Sequence, residues 1–161
     1  MNEQYAALVT ALPLFKGYTI DGAERILDAG DIREVKPGEV LMKEGDPPAF
    51  VLLILKGNVQ VYVEREGKDM VLHDFGPSTI VGELAVLCGM ERSASVRVIE
   101  DSTILQWEAK DFRGLLLKDV FLSERIFRQS LRTLIEKERS LINSLVKANS
   151  DASKQSTQTA S

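Results

Sequence analysis

The chain has 161 residues, 27% of them charged, and a formal net charge of −4, the size and balance of one globular domain around one hydrophobic core. One cysteine, Cys88, and one histidine, His73, exclude an internal disulfide, a multi-cysteine zinc site and a histidine pair for a metal. The net acidity excludes a nucleic-acid surface spread over the whole chain, because phosphate backbones are held by clustered Lys and Arg, but it leaves room for a small anion held by one or two donors and backbone amides.

No uncharged apolar run reaches the roughly 18 residues of a membrane span, and Met1 to Phe15 has no positive cluster ahead of its apolar residues. The expectation is a cytoplasmic protein without a membrane partner. No nucleophile with a base at reach, no metal cluster and no Gly-rich loop ending in Lys is found, so the reading is not an enzyme, with no catalytic residues and no cofactor.

The chain opens with a helical preface over residues 1–30. Glu3 to Leu12 is apolar at helical spacing and stops at Pro13; Thr19 or Asp21 caps a second helix through about Ala29, with Gly30 as its stop. From residue 31 to 108 the period becomes two, punctuated by Pro37-Gly38, Gly45-Asp46-Pro47-Pro48, Gly57, Glu66-Gly67 and Gly76-Pro77, which predicts many short strands in a roll or barrel. Val59, Val61 and Val63 share one face of a half-buried antiparallel strand, and Val96 and Val98 repeat the pattern around Arg97. His73 reads as a plain sheet residue.

The stretch Gly82-Glu83-Leu84-Ala85-Val86-Leu87-Cys88-Gly89-Met90-Glu91-Arg92-Ser93-Ala94-Ser95-Val96 carries the most chemistry. Gly82 lets backbone approach a ligand closely, and the amides of Leu84 and Ala85 leave the first turn of a short helix toward an anion. Arg92 adds a planar, permanently charged fork suited to phosphate oxygens. Glu83 only accepts hydrogen bonds and so calls for a hydroxyl donor, such as a sugar.

Residues 109–148 return to helical spacing: Phe112, Leu115 and Leu116, then Phe121, Ile126 and Phe127, then Leu131 to Val146. Helices that follow a sheet in sequence make the class α+β. Phe127, Leu131, Leu134, Glu138, Leu141 and Leu145 alternate spacings of four and three, a stripe that calls for the roll or a twin helix in a homodimer as its cover. Residues 149–161 are Ser, Thr, Gln and Ala with few apolar side chains and are expected to be disordered.

The Gly-Glu-Leu-Ala run and the Arg-x-Ala-Ser-Val run resemble the phosphate-binding cassette of cyclic-nucleotide-binding domains. Pro37-Gly38-Glu39-Val40-Leu41, Glu44-Gly45-Asp46 and Leu55-Lys56-Gly57 are similar to the glycine landmarks of the same fold, so the resemblance covers about Leu12 to Leu145. It implies an eight-stranded antiparallel β-roll, jelly-roll-like, with N-terminal helices, a short cassette helix and a long C-terminal helix. By the same match Glu83 holds a ribose 2′-hydroxyl and Arg92 a cyclic phosphate. Gly82, Leu84, Ala85, Ser93 and Ala94 make the remaining phosphate and ribose contacts, while Val61 and Leu72 line the base. The chain departs from the family at Ser78-Thr79, where Gly-Asp is usual, and at Glu91, where many members carry proline.

The resemblance implies a sensor for cyclic AMP or cyclic GMP, with cyclic AMP preferred. Ser93 fits either base: after the arginine, a hydroxyl meets guanine in some members and the phosphate in cyclic-AMP-binding ones. Glu138 either sets helix register or reaches the base edge. The expected partners are a cyclic nucleotide, an unidentified downstream protein and a second copy through the C-terminal helix. DNA is not among them, because the segment beyond Ala148 is too short for a helix-turn-helix. Two alternatives stay open, a nucleotide-free structural or oligomerisation module and the sensor fragment of a transcription regulator.

Overall fold

Val51-Leu52-Leu53-Ile54-Leu55 is apolar at every position, which suits a strand covered on both faces. In the computed structural model, which describes residues 2–160, Val51, Leu53 and Leu55 enter one core and Leu52 and Ile54 another, as a period of two requires. The first core lies under the helices and the second lies inside the roll.

Among the described residues eight strands occur: β1 (Asp31–Val35), β2 (Val40–Met42), β3 (Phe50–Lys56), β4 (Val59–Arg65), β5 (Lys68–Phe75), β6 (Ile80–Val81), β7 (Ser95–Val98) and β8 (Ser102–Glu108). They form two four-stranded sheets in the orders β1-β8-β3-β6 and β2-β7-β4-β5, with antiparallel pairing throughout. The helices are α1 (Asn2–Ala11), α2 (Ile20–Asp28), α3 (Glu83–Cys88), α4 (Ala109–Lys118) and α5 (Val120–Gln158), with a 3-10 turn at Pro13–Phe15. This is the expected eight-stranded antiparallel roll of an α+β protein. Val59, Val61 and Val63 are buried on one face of β4, and with Val96 and Val98 they fill the roll.

The preface follows its punctuation. α1 ends two residues before Pro13, whose fixed φ starts the 3-10 turn. Thr19 is the cap of α2: its Oγ1 accepts from the Gly22 amide at 3.1 Å. Thr19→Ala is expected to cost about 1 kcal/mol of stability in urea unfolding, and Thr19→Gly only a few tenths. Gly30 stands where a stop was expected, but for a different reason. Its φ is not in the left-handed region; a Cβ there would lie 2.5 Å from the Gln106 carbonyl and 2.7 Å from Trp107 Cδ1. The chain needs a glycine so that α2 can approach β8, where Trp107 Nε1 donates to the Ile26 carbonyl at 3.0 Å.

The chain divides into two units, the first ending at Ile126 and the second beginning at Phe127. Within the first, Leu122 and Ile126 of α5 are buried with Trp107 and Phe112. Through Gln158 the second unit is the remainder of α5. A disordered tail is the expectation for residues 149–161; in the structure the helix continues through Gln158, and the side chains of residues 149–160 are exposed. The composition does fail to bury a face, but extending a nucleated helix adds one hydrogen bond per residue without one. No Gly or Pro interrupts the chain after Val120, and the Ser153 and Thr157 hydroxyls donate to the carbonyls four residues back at 3.0 and 2.8 Å. No helix among the described residues is long and apolar enough to cross a membrane.

Candidate functional site

Gly82 leaves β6 with φ +84 and is the N-cap of α3. With no side chain, Gly82 supplies no capping bond to the first turn of α3. The turn is packed tightly, since a Cβ on Gly82 would meet Arg92 Nη1 at 2.5 Å and Met42 Cε at 2.6 Å. α3 is anchored from behind by Val86, buried in the helical core, and by Arg113 of α4, whose Nη2 donates to the Val86 carbonyl at 2.5 Å.

Arg92 is 5% exposed. Its Nη1 donates to the Gly82 carbonyl at 2.7 Å, its Nη2 donates to the Phe50 carbonyl, and its Cζ lies 5.1 Å from the centre of the Phe50 ring. Both of these acceptors are neutral. Burial pushes the guanidinium below its ordinary value, and the carboxylates of Asp46 and Glu83 oppose that through space. Glu83 is itself buried, at 8% exposure. The site therefore holds a permanent cation out of water, with its fork turned to backbone carbonyls and a carboxylate nearby. An anion placed against such a fork gains charge-assisted, bidentate hydrogen bonds that a carbonyl cannot match.

The backbone of Arg92 is clamped to the β2–β3 loop: its carbonyl accepts from the Gly45 amide and its amide donates to the Asp46 carbonyl, both at 2.9 Å. Ser95 Oγ accepts from the Glu44 amide at 2.9 Å, and Arg65 grips the Glu44 carboxylate with both terminal nitrogens, at 3.0 and 2.8 Å. That bond holds the Glu44 carboxyl below its usual range. Ser93 and Glu91 are exposed, and Ala94 packs against the roll core that contains Val61.

The structure thus gathers Gly82, Glu83 and Arg92 at the start of α3, with Leu84 and Ala85 on its first turn and Ala94 beside the Val61 core. Leu72 differs. β5 is an edge strand of its sheet, and its register against β4 shifts between Val61↔His73 and Tyr62↔Val71. Leu72 is the extra residue at that irregularity and is 53% exposed. His73 is the residue across from Val61, and cross-strand partners share a face; its ring lies 4.5 Å from that of Phe75. A strict alternation along β5 cannot reveal this, because one inserted residue reverses every later face. Glu138 lies in the second unit and is exposed. Phe50 and Met42 lie beside Arg92 and the Gly82 turn from about 40 to 50 positions upstream and carry no local signal, and Asp46, legible only as part of a turn, meets the Arg92 backbone there.

Residues 32–119 match the sequence model of the cyclic nucleotide-binding domain, and the chain belongs to that family. It is 27% identical over 136 residues to the cAMP-dependent protein kinase type II regulatory subunit of Drosophila melanogaster, an alignment covering 83% of this chain and 35% of that protein. Among solved structures, the catabolite activator protein of Thermus thermophilus superposes with a TM-score of 0.70 at 25% identity, covering 80% of this chain and 61% of that one. A cAMP-binding acyltransferase from Mycobacterium smegmatis superposes with a TM-score of 0.66 at 30% identity, covering 79% and 40%. The chain spans from about a twentieth to about a third of the length of the curated relatives it matches.

Proposed function

We propose that this domain is a regulatory module that binds cyclic AMP in preference to cyclic GMP and reports occupancy through α5. The observation that carries the reading is Arg92: a buried cation whose two terminal nitrogens donate to neutral carbonyls, set against the left-handed Gly82 at the start of α3. A cyclic phosphate offers that fork the charged oxygens its burial calls for. Glu83, an acceptor within electrostatic reach of Arg92, is matched by a ribose hydroxyl donor. The cAMP-binding acyltransferase among the structural relatives supports the same ligand for this chain.

Isothermal calorimetry on protein unfolded, stripped and refolded is the test. Binding of cyclic AMP with weaker binding of cyclic GMP is the expected result, and no heat with either nucleotide ends the reading. Ser93→Ala is expected to leave that preference unchanged, because an exposed hydroxyl beside Arg92 serves the phosphate common to both ligands. Tighter cyclic GMP binding, lost in Ser93→Ala, would assign the hydroxyl to guanine instead.

The second unit presents an apolar stripe, with Leu131 59%, Leu141 67% and Leu145 65% exposed, and Phe127, Leu134 and Glu138 complete its heptad spacing. A second copy of the same helix is the cover we propose, because an a/d seam of this spacing packs best on another of its kind. Glu138 sits within that seam, where a buried acid opposes pairing at neutral pH. Glu138→Leu is expected to tighten self-association by about tenfold or more in sedimentation equilibrium, the ordinary gain when an acid leaves an apolar seam. Unchanged association would place the twin helix elsewhere. Cyclic AMP affinity measured on the same variant reports whether Glu138 has any part in binding.

A further inference from the structure

Ser78 is a serine in a glycine's conformation. Its φ is +69, it is 9% exposed, and its turn is pinned to β3 by two main-chain bonds, Ser78 N–H to the Ile54 carbonyl at 2.9 Å and Ile54 N–H to the Thr79 carbonyl at 3.0 Å. A glycine would make this turn without strain. What serine adds is its hydroxyl, and Ser78 Oγ accepts from the Leu14 amide in the 3-10 turn at 2.9 Å. A non-glycine residue kept in the left-handed region against its preference points to a role.

The contacts continue past Leu14. Its carbonyl accepts from Arg125 Nη1 at 3.0 Å, and the Arg125 Cζ lies 5.4 Å from the centre of the Tyr18 ring. The Tyr18 hydroxyl donates to Asp119 Oδ2 at 2.6 Å, and Asp119 Oδ1 accepts from the Leu122 amide at 2.9 Å, capping the first turn of α5. Burial and the bond to Asp119 push the Tyr18 phenol up, so it remains a donor at any ordinary pH. In the other direction, Thr79 and the two residues of β6 lead from Ser78 to Gly82, whose carbonyl is held by Arg92. Every group in the series lies within the first unit.

We infer that Ser78 is a positioning residue that couples occupancy of the Arg92 site to the start of α5, by way of Leu14 and Arg125. The inference rests on the nucleotide-binding reading. Arg92 meets an incoming anion with the same fork that now holds the Gly82 carbonyl, so binding alters the hold on Gly82. β6 passes that change to Ser78, and the Ser78 hydroxyl passes it to the turn on which Arg125 rests. Without the hydroxyl, Leu14 and the start of α5 are disconnected from the cassette by this route.

Two variants separate coupling from stability. Ser78→Gly relieves the backbone strain and Ser78→Ala keeps it, while both remove the hydroxyl. The readout is amide hydrogen exchange at residues 120–126 with and without cyclic AMP, taken relative to β1, alongside calorimetry. In the wild-type chain cyclic AMP is expected to change exchange at 120–126 by at least about fivefold, the lower end of ordinary coupling between sites. Both variants are expected to lose that change alike, and to shift cyclic AMP affinity by no more than the factor of coupling lost, as reciprocity demands. A merely structural Ser78 would make exchange follow stability, so the Gly and Ala variants would part in opposite directions. That outcome overturns the inference, as does retention of the wild-type change in either variant. Wild-type binding with no change at 120–126 defeats the coupling and leaves the nucleotide reading standing, whereas absence of binding in the wild-type calorimetry defeats both.

Discussion

Arg92→Ala is expected to weaken cyclic AMP binding by about 30- to 1000-fold, the 2–4 kcal/mol that a charge-assisted phosphate contact contributes. The effect on stability is smaller. Removing the side chain strands the Gly82 and Phe50 carbonyls, but it also removes a cation that burial disfavours, and the two changes oppose one another. Urea unfolding should therefore show a loss of no more than about 2 kcal/mol. Arg92→Lys keeps the charge without the planar fork and should recover only part of the affinity. If Arg92→Ala binds cyclic AMP within a few-fold of the wild-type chain, the phosphate is held by other groups and the assignment of Arg92 is wrong.

Gly82→Ala is the second large effect, and it acts on both stability and binding. With φ at +84, a residue carrying a Cβ loses about 1–2 kcal/mol to backbone strain alone. The new Cβ also arrives 2.5 Å from Arg92 Nη1 and 2.6 Å from Met42 Cε. Both are ends of flexible side chains, but one is the phosphate fork, so relief of the clash moves the group that binding depends on. The expected outcome is a stability loss of about 1–3 kcal/mol in urea with at least a tenfold loss of cyclic AMP affinity, since a small displacement of a positioned charge is costly. Normal affinity in a folded Gly82→Ala protein would show that the ligand does not approach the cassette turn.

The departure at Ser78-Thr79 was visible in the chain, yet its meaning was not. A serine where the family carries glycine reads from sequence as a change of loop geometry. The observed φ of +69 shows that the turn keeps the glycine-like backbone, and the bond to Leu14 shows what the side chain adds there. The partner is 64 positions away, beyond any local pattern.

Local residue pattern was enough for the alternation of Val59, Val61 and Val63, a helix capped at Thr19 or Asp21, the class of the fold and the pairing of Gly82-Glu83 with Arg92. These depend on near neighbours: a period of two selects a face, a hydroxyl caps the amide three residues on, and a glycine permits a left-handed turn. Tertiary structure alone decided the rest. It turned Arg92 to the carbonyls of Gly82 and Phe50, placed His73 rather than Leu72 across from Val61 by one irregular register step, and gave Gly30 its reason in the approach to β8. Each turns on which distant segments share a core or on a single inserted residue, and neither leaves a periodic mark on the chain.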